Sequence, residues 1–97
     1  MWVTTLTYDL VAIRQLSDSD IASMISSIQN KKDELKAIDG AGASTAEYPV
    51  PTDYNNIPLD QTTLIVKRAW NQQVNAQALV DHLAGISQIT ATLEEQA

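Results

Sequence analysis

The side chains that could do chemistry are few and scattered. His82 is the only histidine in the 97 residues. On a helix its neighbours three and four positions away are Ala78, Leu79, Gly85 and Ile86, none able to share a metal with it or orient it as a base. Cysteine is absent, which removes thiolate metal sites, disulfides and a cysteine nucleophile together. Asp18 and Asp20 begin like a calcium loop, but the glycine and the closing glutamate of such a loop are missing downstream. Gly40-Ala41-Gly42-Ala43-Ser44 has the composition of a phosphate cradle, yet it follows a helix and opens an extended stretch, the reverse of the order phosphate binding needs. Ser44 has no nucleophile-elbow context. The paired carboxylates Asp33-Glu34 and Glu94-Glu95 read as solvated helix faces. The expectation is a protein that is not an enzyme, with no catalytic residues, no metal and no cofactor.

Charge narrows the partners. Twelve acidic residues against six basic give a net charge of -6, and the only adjacent basic pairs are Lys31-Lys32 and Lys67-Arg68. A phosphate-binding face needs clustered Lys and Arg, so nucleic acid is not expected. No apolar run reaches the length of a membrane span, the longest being fragments such as Leu64-Ile65-Val66 and Leu10 to Ile13. Met1 to Thr5 lacks the basic region of a signal peptide. These features predict a soluble chain with no membrane partner, cytoplasmic when made unless it is carried off in a particle such as a virion.

The elements that would position these residues are dominated by the stretch 60–96. Ile65, Ala69, Gln72, Ala76, Leu79, Leu83, Ile86, Thr90 and Leu93 recur at steps of three and four, which predicts one long helix. Asp60 is a suitable N-cap, with Leu59 and Leu64 placed to staple it, and Ile57-Pro58 bars helix upstream. About 37 residues of helix would be roughly 54 Å long, more than a small domain can wrap. The first half has a wide apolar face that includes Trp70. The second half narrows to Leu79, Leu83, Ile86 and Leu93, the width of a seam against one partner helix.

Upstream, Trp2, Leu6, Leu10 and Ile13 also fit a helical stripe, but the β-branched and aromatic types of residues 2–8 favour an extended lead-in, followed by a short helix from about Tyr8 to Leu16. Ser17-Asp18-Ser19-Asp20 caps a second helix over 18–38, with Ile21, Met24, Ile25, Ile28, Leu35 and Ile38 along one face and Asp39-Gly40 closing it. Residues 40–58 hold three prolines and no helical period, so they predict an extended arm with Tyr48, Val50, Tyr54 and Ile57 as anchors. The predicted fold is therefore one small all-α domain over 1–97. It is a helical hairpin with a long C-terminal helix, a short N-terminal element and a proline-containing arm between the two main helices.

The opening MWVTTLTYDLVAIRQLSDSDIASMI and the arm YPVPTDYNNIPLD feeding a long segment resemble small accessory tail, neck or baseplate proteins of tailed bacteriophages. That resemblance implies a virion component in symmetric copies, contacting a larger tail, baseplate or fibre protein. The residues themselves predict association: a structural or assembly subunit, homo-oligomeric or part of a larger complex, acting through helix packing and its arm. The expected interface residues are Trp2, Tyr48, Val50, Tyr54, Ile57, Leu79, Leu83, Ile86 and Leu93. The alternative is a small helical binding module, regulator or assembly chaperone that takes a partner helix into a groove.

Overall fold

A computed structural model describes residues 1–40 and 60–95. The elements run β1 (Trp2–Asp9), α1 (Leu10–Ile13), α2 (Asp18–Asp39), β2 (Thr63–Trp70), α3 (Gln73–Leu83) and β3 (Ile89–Glu95). The three strands form one antiparallel sheet in the order β2-β1-β3. The chain is thus mixed α and β, and the expected all-α hairpin is overturned. The single long helix over 60–96 is a strand, a helix and a strand. The expected arm over 40–58 lies, from residue 41 onwards, outside the described residues.

The physical reason lies in the residue types that the helical spacing ignored. Thr62-Thr63-Leu64-Ile65-Val66 and Ile89-Thr90-Ala91-Thr92 are dense in β-branched side chains, which lose rotamer freedom in a helix and fit a pleated surface. Asn71-Gln72 and Gly85 interrupt the stretch at the two places where strand and helix exchange. A step of four residues also keeps a side chain on the same face of a strand, so Ile65 and Ala69 satisfied both periods.

β1 is the central strand. It pairs with β2 in a register that sets Thr4 against Arg68 and Leu6 against Val66, and with β3 in one that sets Thr4 against Leu93 and Leu6 against Ala91. β2 and β3 therefore run in the same direction on either side of it, joined by the α3 crossover. Alternation decides the faces. Thr4, Leu6 and Tyr8 of β1, Val66 and Trp70 of β2, and Ile89 of β3 point to the helices and are buried. They share the core with Leu10 and Ile13 of α1, Met24, Ile28 and Leu35 of α2, and Ala76, Leu79 and Leu83 of α3. Each large aliphatic side chain buried in this way contributes about 1.5–3 kcal/mol.

Helix ends are set by side chains. Asp9 caps α1, accepting from the Ala12 amide at 3.2 Å. Ser17 caps α2, its Oγ accepting from the Asp20 amide at 3.1 Å, and Asp18 and Asp20 suit the positive end of the dipole. α2 closes at Gly40, whose φ of 101° is open to glycine at little cost. α3 has no cap of its own: the Gln72 side chain makes no capping bond.

Candidate interaction surface

The missing cap of α3 comes from α2. Asp39, read from sequence only as part of a helix stop, is buried, and its carboxylate accepts from the amides of Asn71 at 2.8 Å and Gln72 at 3.1 Å and from Asn75 Nδ2 at 2.8 Å. The Asp39 carbonyl also accepts from Asn71 Nδ2 at 3.2 Å. Burial alone would raise the Asp39 pKa, but the bonds from Asn71, Asn75 and Gln72 and the charge of Arg68 outweigh it and hold the carboxyl below its ordinary value. Arg68 in turn lies 4.9 Å over the Trp70 ring. Trp70 Nε1 donates to Thr4 Oγ1 at 3.0 Å, and Thr4 Oγ1 donates to the Arg68 carbonyl at 3.4 Å. This polar network ties α2, α3, β1 and β2 together, and every contact in it is internal.

Lys32 sits in the buried stripe of α2. Burial, then Arg68 and Lys36, lower its pKa to about 8 against the opposing pull of Asp33. On the outside, Ser27 Oγ and His82 Nε2 are 3.0 Å apart, joining α2 to α3. A serine beside a histidine is the start of a nucleophile and base. Here, however, both lie within exposed helices, where the backbone amides are engaged along the helix and none is aimed at a reacting oxyanion. The pair is best read as a link between two helices. Among the described residues, no group of three or more His, Cys, Asp or Glu side chains lies together as a metal site would need.

The surface that stands apart is the other side of the sheet. Odd-numbered residues of β1 and β2 and even-numbered residues of β3 point away from the helices. Thr5 lies between Lys67 and Thr92, Thr7 between Ile65 and Thr90, and Val3 between Ala69 and Glu94. The core cluster shows that the helices pack on the opposite side, so among the described residues this side is bare. Ile65, at 50% exposure, is its large apolar residue. The outer edges of β2 and β3 are likewise unpaired among the described residues.

The expected interface residues fall elsewhere. Leu79 and Leu83 are core residues, and Ile86 and Leu93 pack against that core partly buried. The proposed seam against a partner helix is therefore filled by the protein's own sheet and α2. Trp2 is also partly buried against the core. Tyr48, Val50, Tyr54 and Ile57 lie outside the described residues. None of Thr5, Thr7, Lys67, Thr90 and Thr92 on the bare side is among those expected interface residues. The signal for them was the recurring threonine-x-threonine of Thr5-Leu6-Thr7 and Thr90-Ala91-Thr92, a period of two.

Among the described residues these features define the class: a two-layer α/β module with helices on one side of a three-stranded sheet and none on the other. Comparison of the chain with known protein families, with curated proteins and with solved structures finds no match. No described helix is long and apolar enough to cross a membrane.

Proposed function

We propose that the protein is an assembly subunit, a building block that works by association rather than by chemistry, and that its working surface is the helix-free side and rim of the sheet. The observation that carries this is the sheet side left without a helix among the described residues, where Val3 and half-exposed Ile65 stand among Thr5, Thr7, Thr90 and Thr92, with Lys67 and Glu94 on its two edge strands. Antiparallel sheets commonly leave one side to solvent, and a single exposed apolar residue is ordinary; the support here is the low charge of that side together with two sheet edges unpaired among the described residues. A regulator that takes a partner helix has less support, because the groove between α2 and α3 is already filled by Met24, Ile28, Leu79 and Leu83. A place in a virion, implied by the resemblance to phage accessory proteins, is one setting for such a subunit.

Fractionating an extract of the native source by mass tests the proposal. The wild-type chain should run in high-mass fractions. Ile65→Lys, which leaves the helix-side core untouched, should run at low mass with an unchanged circular dichroism spectrum. A wild-type chain found only as a free monomer in that extract overturns the assembly role.

A further inference from the structure

Resting on that assembly role, we propose that copies of this chain join head to tail through their sheets, the outer edge of β2 in one copy adding in parallel to the outer edge of β3 in the next. Three features of the sheet lead there. Both edges are continuous: β2 and β3 keep register with β1 over their whole lengths, with no bulge and no proline. Edges of soluble sheets are ordinarily protected by charged side chains, proline or a bulge; here there is no proline and no bulge, and the charges are of opposite sign on the two edges, Lys67 on β2 and Glu94 and Glu95 on β3. Second, β2 and β3 run in the same direction, so moving the whole sheet sideways by its own width lays one copy's β2 alongside the next copy's β3 as a parallel pair.

Third, the edges carry opposite charge on the same side. Lys67 stands on the bare side of β2 and Glu94 on the bare side of β3, with β1 between them. Within one molecule they are kept apart by two strand spacings, roughly 10 Å, besides an offset along the strands. Across the proposed joint, Lys67 of one copy comes beside Thr92 of the next. Glu94 is then one same-side step further on, about 7 Å along the strand and within reach of a lysine. Two-fold pairing offers no such match: β3 against β3 brings only acidic charges to the joint, with Glu94 of each copy across from Thr90 of the other, and β2 against β2 brings no acidic partner for Lys67. A joint between two different edges repeats, and the twist of about -20 to -25° per strand turns the array, giving a ring or a helical filament.

Sedimentation velocity of the purified full chain, from micromolar to millimolar concentration at low salt, tests the proposal together with hydrogen exchange. The wild type should build species larger than a dimer, with the amides of β2 and β3 becoming protected as they form. Lys67→Glu and Glu94→Lys should each weaken association about fivefold, and the double reversal should restore it. Added salt should weaken the wild type. A species that stops at a dimer, a double reversal no better than the single variants, or association without edge protection overturns head-to-tail joining. A chain that stays monomeric when pure yet enters high-mass fractions of the native extract overturns this joint and leaves the assembly role standing; a monomer in both settings removes the two together.

Discussion

Replacing Asp39 with alanine should be among the most damaging single changes outside the hydrophobic core. The carboxylate accepts three hydrogen bonds, from the Asn71 and Gln72 amides and from Asn75 Nδ2, at 2.8, 3.1 and 2.8 Å. Bonds to a charged group contribute about 1.5–3 kcal/mol each. Bonds to one carboxylate do not add in full, however, and an N-cap lost alone costs about 1 kcal/mol. Removing the anion also leaves buried Arg68 short of a counter-charge. The expected loss is about 3 kcal/mol, a large share of the roughly 5–15 kcal/mol that holds a typical domain. Asp39→Asn, which keeps an acceptor oxygen but not the charge, should lose about half as much. Urea unfolding followed by the fluorescence of buried Trp70 reads both values. The sign with pH is an independent check. The folded pKa of Asp39 is lowered from 3.8, so its stabilisation is present above that unfolded value and is lost as pH falls through the folded one. The gap between wild type and Asp39→Ala should therefore close in strong acid. A loss under about 0.5 kcal/mol at neutral pH, or a gap that stays constant into acid, refutes the assignment of Asp39 as the cap of α3.

Other outcomes follow from the same contacts. Lys32 has its pKa lowered from 10.5 to about 8, so its charge burdens the folded state below pH 8 and the burden lifts as pH rises towards 10.5. Stability should climb over that window by at most about 3.4 kcal/mol, and Lys32→Met should flatten the climb; chemical denaturation at a series of alkaline pH values measures both. Trp70→Phe removes the donor to Thr4 Oγ1 and weakens the stacking of Arg68, and should cost about 1–2 kcal/mol in the same urea assay. Ser27→Ala should change stability by no more than about 0.5 kcal/mol, because its bond to His82 is exposed; thermal melts check this, and a larger loss would give that pair a weight its position does not suggest.

The part of the fold written in local chemistry was legible. The β-branched opening favoured an extended start, although the strand runs through Asp9 and the short helix covers Leu10–Ile13 rather than Tyr8 to Leu16, and the Ser17 cap with the Met24, Ile28, Leu35 stripe marked α2. The long C-terminal segment misled because a strand and a helix share the four-residue step, as at Ile65 and Ala69. In β2, Ile65 and Ala69 on the bare side with Arg68 on the covered side blur the alternation that would have exposed the strand. Thr90 and Leu93, three apart in the supposed seam, stand on opposite sides of β3. The bare side was invisible for a related reason: a surface exists only once strands are paired, and the pairing of β1 with two distant segments is not encoded in any window of neighbouring residues. Asp39 is a similar case. Its local context explains a helix stop, whereas its partners Asn71, Gln72 and Asn75 lie more than thirty residues away.

The position of β1 has a kinetic consequence. Trp2 lies opposite both Trp70 and Glu95, so the first strand of the sheet is also its centre and has no mate nearby in the chain. Loop closure on that scale must precede most of the contacts that reward it, which places the protein with slow folders rather than with helical bundles. Until both mates arrive, Val3 to Tyr8 is an unpaired β-branched ribbon, and that interval, rather than the finished molecule, is where misassembly during production would begin.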